Sequence, residues 1–315
     1  MFDIRELQDG SDIIGISLEG EAGIELNLTK NEAGRIGGSF AWWLTQKVQK
    51  NPWELKICVG CDSRLSSAEL KEGLMMGFQM FGAQSIDAGL ATTPAIAMST
   101  TMTCYDYDAA VMITAGDLPG NQNGFKFFTA DGPLTEEDIA KVLSYAAKYV
   151  FIGEYYEKTD SNLMAMYAAH LRGRISAGLG GGNNNLAGMH IVVDAGNGAG
   201  GFFATEVLAK LGADVSGSQF LEPDGHFANH EPNARDTASL AAISKAVLDN
   251  KADLGIILDA DVAHSAAVDE KGATIDFDER FIGDGAMLAV QTIITATKQK
   301  KNDNKDGTKE HTKKE

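Results

Sequence analysis

The sequence predicts an α/β protein made of two similar three-layer domains, each built on a mixed sheet. Two widely separated stretches follow one plan of apolar strand, polar or glycine-rich loop and amphipathic helix, which is typical of α/β folds. The length of 315 residues suits about two domains. The 35 glycines and a hydrophobic content of 44% indicate a globular protein with many tight turns.

The first copy of this plan begins at "ELKICVGCDSR", residues 54–64, where an apolar strand leads into a polar loop. A helix follows and ends at Gly82, and another strand begins near Ser85, which completes a βαβ unit. The helix is predicted from four apolar residues that form one stripe: Leu70, Leu74, Phe78 and Phe81.

The second copy begins at "GMHIVVDAGNGAGG", residues 188–201, where a strand leads into a glycine loop. The helix after it is predicted from Phe203, Val207, Leu208 and Leu211, and it ends at Gly212. A Gly/Asn-rich connection precedes this unit at residues 178–188. We place the domain boundary near residue 154, which gives a first domain at 1–154 and a second at 155–275.

The remaining residues, 276–315, divide by composition. Residues 276–297 are helix-forming, whereas the tail at 298–315 is rich in lysine and has no apolar side chain. Such a tail cannot contribute to a core, so we expect it to be disordered.

The charge and the cysteines restrict location and partners. A net charge of −17 argues against nucleic acid and anionic membranes, because phosphate repels an acidic surface. No basic and apolar leader begins the sequence, and no apolar run approaches the about 18 residues of a membrane span. Three cysteines, Cys58, Cys61 and Cys104, are too few for a disulfide framework, so we expect a cytoplasmic protein.

The stretch "VMITAGDLPGNQNGFKFF", residues 111–128, runs from an apolar segment through a glycine-rich loop into an aromatic segment. Gly116, Gly120 and Gly124 permit a positive φ or a close approach to a ligand, and Lys126 supplies a positive charge. The loop therefore suits a phosphate group. The alternative is a hairpin-like loop made of ordinary turn residues.

A second candidate site lies in "LGIILDADVAHSAAVDEKG", residues 254–272, where an apolar strand ends at Asp259. Asp261 lies two residues on and points the same way in an extended segment, so the two carboxylates suit Mg²⁺. The next residue with this two-residue spacing is Ala263, which contributes no ligand. The alternative is a pair of solvated loop acids.

These motifs together resemble the α-D-phosphohexomutase family, the phosphoglucomutases and phosphomannomutases. The resemblance covers roughly residues 10–290. It includes, in the order of the family, "VGCDSRLS", "GLATTPA", "MITAGDLPGNQNGFKFF", "VVDAGNGAGG", "EPDGHFANHEPN" and "DADVAHSAAVDEKG". The resemblance implies transfer of a phosphoryl group between two positions of a hexose, through a phosphoserine whose phosphate is bridged by Mg²⁺ to three aspartates.

The loop that matches the family's phosphoserine loop, residues 114–126, is degenerate in this chain. Gly116 stands where the family has its phosphoserine, and Asp117 stands where it has a histidine. Lys126 matches the family's lysine near the reacting hydroxyl. The resemblance also implies that Arg64 and Thr114 contact substrate or phosphate.

The metal loop, residues 259–264, is degenerate as well. Asp259 and Asp261 match two metal aspartates, whereas Ala263 replaces the third, so Mg²⁺ binding is expected to be weakened. His264 replaces an arginine and is expected to contact substrate or phosphate. In "GSDIIGI", Ile14 takes the place of an arginine that the family uses near the phosphate.

The family has four domains, and the resemblance covers the first two, with 276–297 as a remnant helix of the third. We therefore expect a truncated phosphohexomutase homologue that has lost, or nearly lost, mutase activity, because a glycine cannot carry a phosphoryl group. One alternative is an active phosphotransferase that uses Asp117, Thr114 or a partner chain. Another is a non-catalytic binding or assembly protein, with weak hexose phosphate binding or homo- or hetero-oligomers formed through surfaces left by the missing domains.

Overall fold

The first domain is built on an eight-stranded sheet. The computed structural model describes residues 2–19, 25–275 and 283–311. The strands are β1 (Gln8–Asp9), β2 (Asp12–Ile16), β3 (Lys56–Cys61), β4 (Gln84–Leu90), β5 (Ala109–Ile113), β6 (Gln122–Thr129), β7 (Gly132–Pro133) and β8 (Lys158–Asp160). Their order is β1-β2-β6-β5-β3-β4-β8, with β7 paired to β6.

The sheet is mixed, which confirms the prediction. Strands β5, β3, β4 and β8 run parallel, whereas β1, β2, β6 and β5 pair antiparallel. The loops that follow β3, β4 and β5 therefore leave the same edge of the sheet, where α/β proteins bind their ligands.

One face of this sheet is covered by α1 (Lys30–Val48), α2 (Ser67–Phe81) and α4 (Glu136–Ala146). A capping box formed by Thr29 and Glu32 starts α1. Helices α1 and α2 pack very closely, since a Cβ at Gly37 would lie 2.4 Å from the carbonyl oxygen of Leu74. In the predicted stripe of α2, Leu70, Leu74 and Phe78 are buried in this core and Phe81 packs against it.

The other face meets the second domain through α3 (Thr93–Ser99) and α5 (Leu163–Gly178). One apolar cluster joins both domains and includes Cys58, Met112 and Phe128 from the first sheet together with Leu171 and Ile191. Strand β8 pairs with β4 and ends at Asp160, so the first sheet extends beyond the boundary predicted near residue 154.

The second sheet is smaller and also mixed. Strand β9 (Ile191–Asp194) runs parallel to β10 (Leu254–Leu258), which pairs antiparallel with β11 (Ser265–Asp269). Isolated bridges from His190 to Asp214 and from Asp194 to Gln219 add an extended segment beside β9. Helix α6 (Thr237–Asn250) covers this sheet. The helix predicted after the glycine loop consists of a π-helical stretch, Phe203–Leu208, and a 3-10 turn, Ala209–Leu211.

The last described element is α7 (Gly285–His311). Its apolar face, which includes Ala286, Val290 and Ile293, is part of the core of the second domain. The first residues predicted as helix, 276–282, lie outside the described residues.

The tail expected to be disordered from residue 298 is helical as far as His311. The reason is that its first lysines make specific polar contacts, which composition does not reveal. Lys300 Nζ lies 2.6 Å from Asp253 Oδ2 and 2.8 Å from the Gly188 carbonyl oxygen, and Lys301 donates to the Asn185 carbonyl oxygen. Within the described chain, none of the helices is both long enough and apolar enough for a membrane span.

Candidate functional site

The loop after β5 is held in place by Arg64, whose side chain has no exposed surface. Its Nη1 donates to the carbonyl oxygens of Pro119 (2.7 Å) and Gln122 (3.1 Å). Its Nη2 donates to those of Gly116 (2.7 Å) and Leu118 (2.8 Å).

The fifth N–H of this guanidinium, at Nε, lies 3.1 Å from Asp62 Oδ2. All five guanidinium N–H groups are therefore bonded within the protein. Arg64 therefore orders the loop, and its contact with substrate or phosphate stays a prediction.

Asp62 and Thr114 complete this support. The Thr114 hydroxyl donates to Asp62 Oδ2 (2.8 Å) and accepts from the Gly116 amide (2.9 Å). Both residues are buried, and burial raises the pKa of the Asp62 carboxyl while the Arg64 charge opposes the shift. Thr114 therefore orients the loop and has no exposed hydroxyl with which to contact a substrate.

Gly116 has a φ of +61°, and a Cβ there would meet no other atom within 4 Å. The position predicted for the lost phosphoserine thus faces open space. Asp117 is exposed, and its Oδ2 accepts from Asn233 Nδ2 of the second domain at 3.4 Å. Residues 122–126 of the predicted loop belong to β6, so the loop itself ends at residue 121.

The loop after β10 brings Asp259 and Asp261 together, and both are buried. Asp261 Oδ2 accepts from the Thr93 hydroxyl at 2.5 Å, and its Oδ1 accepts from the Ala263 amide at 3.2 Å. The Thr93 amide also donates to the Asp261 carbonyl oxygen at 2.8 Å. Thr93, at the start of α3, therefore ties the first domain to this loop.

His264 bonds Asp259 twice. Its amide and its Nδ1 lie 3.0 Å and 2.9 Å from Asp259 Oδ2. The hydrogen bond to Asp259 raises the pKa of His264, although partial burial opposes this. Burial and the neighbouring Asp261 raise the pKa of Asp259 to about 7. The predicted phosphate ligand His264 is thus already engaged by a carboxylate.

Asp259, Asp261 and His264 do not form a magnesium site on their own. Mg²⁺ prefers near-octahedral oxygen coordination, and the described residues hold no group of three or more His, Cys, Asp or Glu side chains suited to a metal. Three of the four carboxylate oxygens of Asp259 and Asp261 accept hydrogen bonds. Of these four oxygens, only Asp259 Oδ1 is buried without a hydrogen-bond partner among the described residues.

Lys126 lies on β6 and forms an ion pair with Asp12 of β2. Burial by itself would lower the pKa of Lys126, but the charges of Asp12, Asp261 and Asp259 raise it overall. Lys126 therefore lies within electrostatic reach of the loop after β10. Asp12 was missed because the sequence does not show that β2 and β6 are neighbours.

The glycine loop of the second domain, residues 194–201, is a packing element. A Cβ at Gly198 would lie 2.6 Å from the Ala260 carbonyl oxygen, so only glycine lets this loop pack against the loop after β10. Beside it, His230 Nε2 lies 3.1 Å from Asp194 Oδ1, and Nδ1 lies 2.7 Å from the Glu231 carbonyl oxygen. The hydrogen bond to Asp194 raises the pKa of His230.

Cys58 and Cys61 are both buried in β3. Burial raises the pKa of Cys58 to about 12 and that of Cys61 to about 11, so neither thiol is a reactive thiolate near neutral pH.

The chain thus has two α/β domains, with an ordered loop after β5 and paired aspartates after β10. Residues 7–152 match the profile of phosphoglucomutase/phosphomannomutase alpha/beta/alpha domain I. Residues 165–272 match that of alpha/beta/alpha domain II. The chain therefore belongs to the α-D-phosphohexomutase family, as predicted.

Individual relatives agree with this assignment. The chain is 35% identical over 251 residues to a phosphoglucosamine mutase of Sulfurovum sp. (strain NBC37-1), covering 75% of this chain and 52% of the relative. It is 30% identical over 241 residues to a phosphoglucomutase of Neisseria meningitidis serogroup B, covering 76% and 49%. The chain spans about half the length of these relatives.

A solved structure of similar fold is a phosphoglucomutase/phosphomannomutase family protein from Burkholderia thailandensis. The two superpose with a TM-score of 0.69 at 24% sequence identity, covering 86% of this chain and 56% of that one. This likeness supports the two-domain α/β fold.

Proposed function

We propose that this chain is a phosphohexomutase homologue that does not itself transfer phosphoryl groups between positions of a hexose. The observation that carries the proposal is Gly116. The loop around it is fully ordered by Arg64 and Thr114, yet its tip has no side-chain atom that could accept a phosphate.

The neighbouring groups do not replace the missing hydroxyl. Thr114 has no exposed surface, and its oxygen both donates and accepts a hydrogen bond within the loop. The loop after β10 offers a single unbonded carboxylate oxygen among the described residues, so little charge neutralisation by a metal ion is expected. Loss of the nucleophile and of the metal ligands would act together on the same step.

A mutase assay tests this proposal. The purified chain is incubated with Mg²⁺, glucose 1-phosphate or glucosamine 1-phosphate, and the matching 1,6-bisphosphate, and the products are followed by ³¹P NMR. We expect no conversion above a sample without protein, while an active phosphoglucosamine mutase supplies the positive control. Turnover that disappears in a Lys126→Ala variant prepared in the same way would refute the proposal.

The second candidate is a phosphotransferase that uses the carboxylate of Asp117. One observation favours it, namely that Asp117 is exposed beside the open space at Gly116. Intact-mass measurement after exposure to glucose 1,6-bisphosphate separates the two. An added phosphate that is released by hydroxylamine and absent from Asp117→Asn would support an acyl phosphate on this residue.

A non-catalytic role in binding or assembly follows if both assays are negative. Weak binding of a hexose phosphate, association with a second copy or an active homologue, and a cytoplasmic location remain predictions from the sequence. Light scattering of the purified chain, alone and with an active mutase, tests the assembly.

A further inference from the structure

A segment of the second domain crosses to the first domain and contacts the loop after β5. In this crossing segment, residues 222–233, the backbone of Gly225 forms an isolated bridge with Arg64. A Cβ at Gly225 would lie 2.4 Å from the backbone that precedes Arg64, so only glycine permits this approach. Arg64 Cζ lies 5.5 Å from the centroid of the Phe227 ring, and a Cβ at Gly120 would lie 3.3 Å from the same ring. The residue that orders the loop therefore packs against the crossing segment.

The crossing segment keeps this position against backbone strain. Phe227 has a φ of +47°, in the left-handed region that disfavours a residue with a side chain. Its side chain is nevertheless buried, with its ring beside Arg64. Such a conformation persists only where the surrounding contacts impose it. Contacts on both sides of Phe227 must therefore hold the segment on the second domain.

Asn197 of the glycine loop provides the first set of these contacts. Its Nδ2 donates to the Glu222 carbonyl oxygen at 2.8 Å, and its Oδ1 accepts from Asn229 Nδ2 at 2.7 Å. Its carbonyl oxygen accepts from the Asp224 amide at 2.8 Å. Amide and carbonyl groups do not titrate near neutral pH, so these three bonds do not change with pH in that range.

His230 provides the second set, and its side chain is only 6% exposed. Its Nε2 lies 3.1 Å from Asp194 Oδ1 at the end of β9, and its Nδ1 lies 2.7 Å from the Glu231 carbonyl oxygen. A carboxylate and a carbonyl only accept hydrogen bonds, so both ring nitrogens must carry a proton and the imidazole is cationic. The Ser239 hydroxyl lies 3.1 Å from Nδ1. Among the described residues, the other charged side chain that acts on the ring is that of Asp236, at the start of α6.

We propose that His230 is a pH-sensitive anchor, whose imidazolium holds the crossing segment on β9 and thereby keeps the loop after β5 ordered. Loss of either ring proton leaves a nitrogen facing an oxygen that cannot donate, so one of the two bonds is lost. The raised pKa of His230 sets the direction: the anchor is intact below pH 6.5 and is lost as the pH rises through the raised value. This inference goes beyond the proposed function, since it holds whether or not the chain transfers phosphoryl groups.

The test is hydrogen–deuterium exchange of the whole chain at about pH 6 and about pH 9, followed by mass spectrometry. Results are expressed as protection factors, so that the intrinsic effect of pH on amide exchange cancels. The reporters are the hydrogen-bonded loop amides of Gly116, Leu118 and Gln122. We expect their protection to fall about tenfold at the higher pH, because the loss of a hydrogen bond to a charged group changes an equilibrium by about this factor.

His230→Gln should abolish the difference between the two pH values, and His230→Asn repeats the test if circular dichroism shows that the first variant is unfolded. The matched control is His226→Gln, because His226 lies in the same segment but is exposed and pairs with its neighbour Asp224. This control should keep the response of the wild type.

Phe227→Ala tests how the effect reaches the loop. It should lower the protection of the loop amides at both pH values, because the ring beside Arg64 and Gly120 is lost. Equal protection of the wild-type loop at both pH values would overturn the inference. So would a pH response that survives in His230→Gln, which would point to another group such as His264, or unchanged protection in Phe227→Ala.

Discussion

Replacing Arg64 with methionine is expected to destabilise the protein by about 3–5 kcal/mol, the usual cost of removing one partner of a buried ion pair. Methionine keeps the apolar stem but leaves the buried Asp62 carboxylate without its cation and four loop carbonyls without a donor. Counting five charge-assisted bonds at about 1.5–3 kcal/mol each would give a larger sum. The smaller figure applies because Gly116 and Leu118 are half-buried, and water can replace part of what they lose.

Urea unfolding followed by circular dichroism and tryptophan fluorescence measures this change. The matched control is Arg5→Met, since Arg5 pairs with Asp3 at the surface and its loss should leave the unfolding midpoint nearly unchanged. The double variant Asp62→Asn/Arg64→Met should be more stable than additivity predicts, because no buried charge is left unpaired. An Arg64→Met variant of unchanged stability that loses affinity for hexose phosphate would show that Arg64 is a ligand contact after all.

Three further predictions concern the loops and the domain contact. Gly116→Ser should cost about 1–2 kcal/mol in urea unfolding, because its φ of +61° disfavours a side chain although space is available. The raised pKa of His230 means that its contribution to stability is present below pH 6.5 and is lost as the pH rises through the raised value. His230→Gln should therefore reduce the dependence of the unfolding midpoint on pH across that range. A dependence as steep as that of the wild type would contradict this. Thr93→Val leaves buried Asp261 without a hydroxyl donor and should cost about 1–3 kcal/mol, whereas a neutral result would argue against the bond.

Local patterns predicted much of this fold. Two strand–loop–helix units, which begin at residues 54 and 188, were predicted from the sequence. They could be predicted because the spacing of apolar residues and the glycines that end each element are short-range signals. Gly116, Asp259 and Asp261 could be placed on loops after strands because the chain order of strand and turn residues is visible.

The partners of these residues could not be predicted. Arg64 bonds carbonyl oxygens more than fifty positions away in the chain, and backbone acceptors carry no residue signature. Asp12 and Lys126 meet only through the register of two strands that are distant in sequence. The helical start of the tail depends on Lys300 reaching Asp253 of the second domain.

The apolar cluster that joins the two domains has a consequence for dissecting this protein. If the two domains were separated between β8 and α5, α3 in the first piece would lose its packing against α5 in the second. Each fragment would expose apolar surface that the intact chain buries, and would therefore tend to aggregate. Thermal denaturation of the intact chain should accordingly show one heat-absorption peak, because unfolding of one domain would expose part of the apolar cluster that it shares with the other.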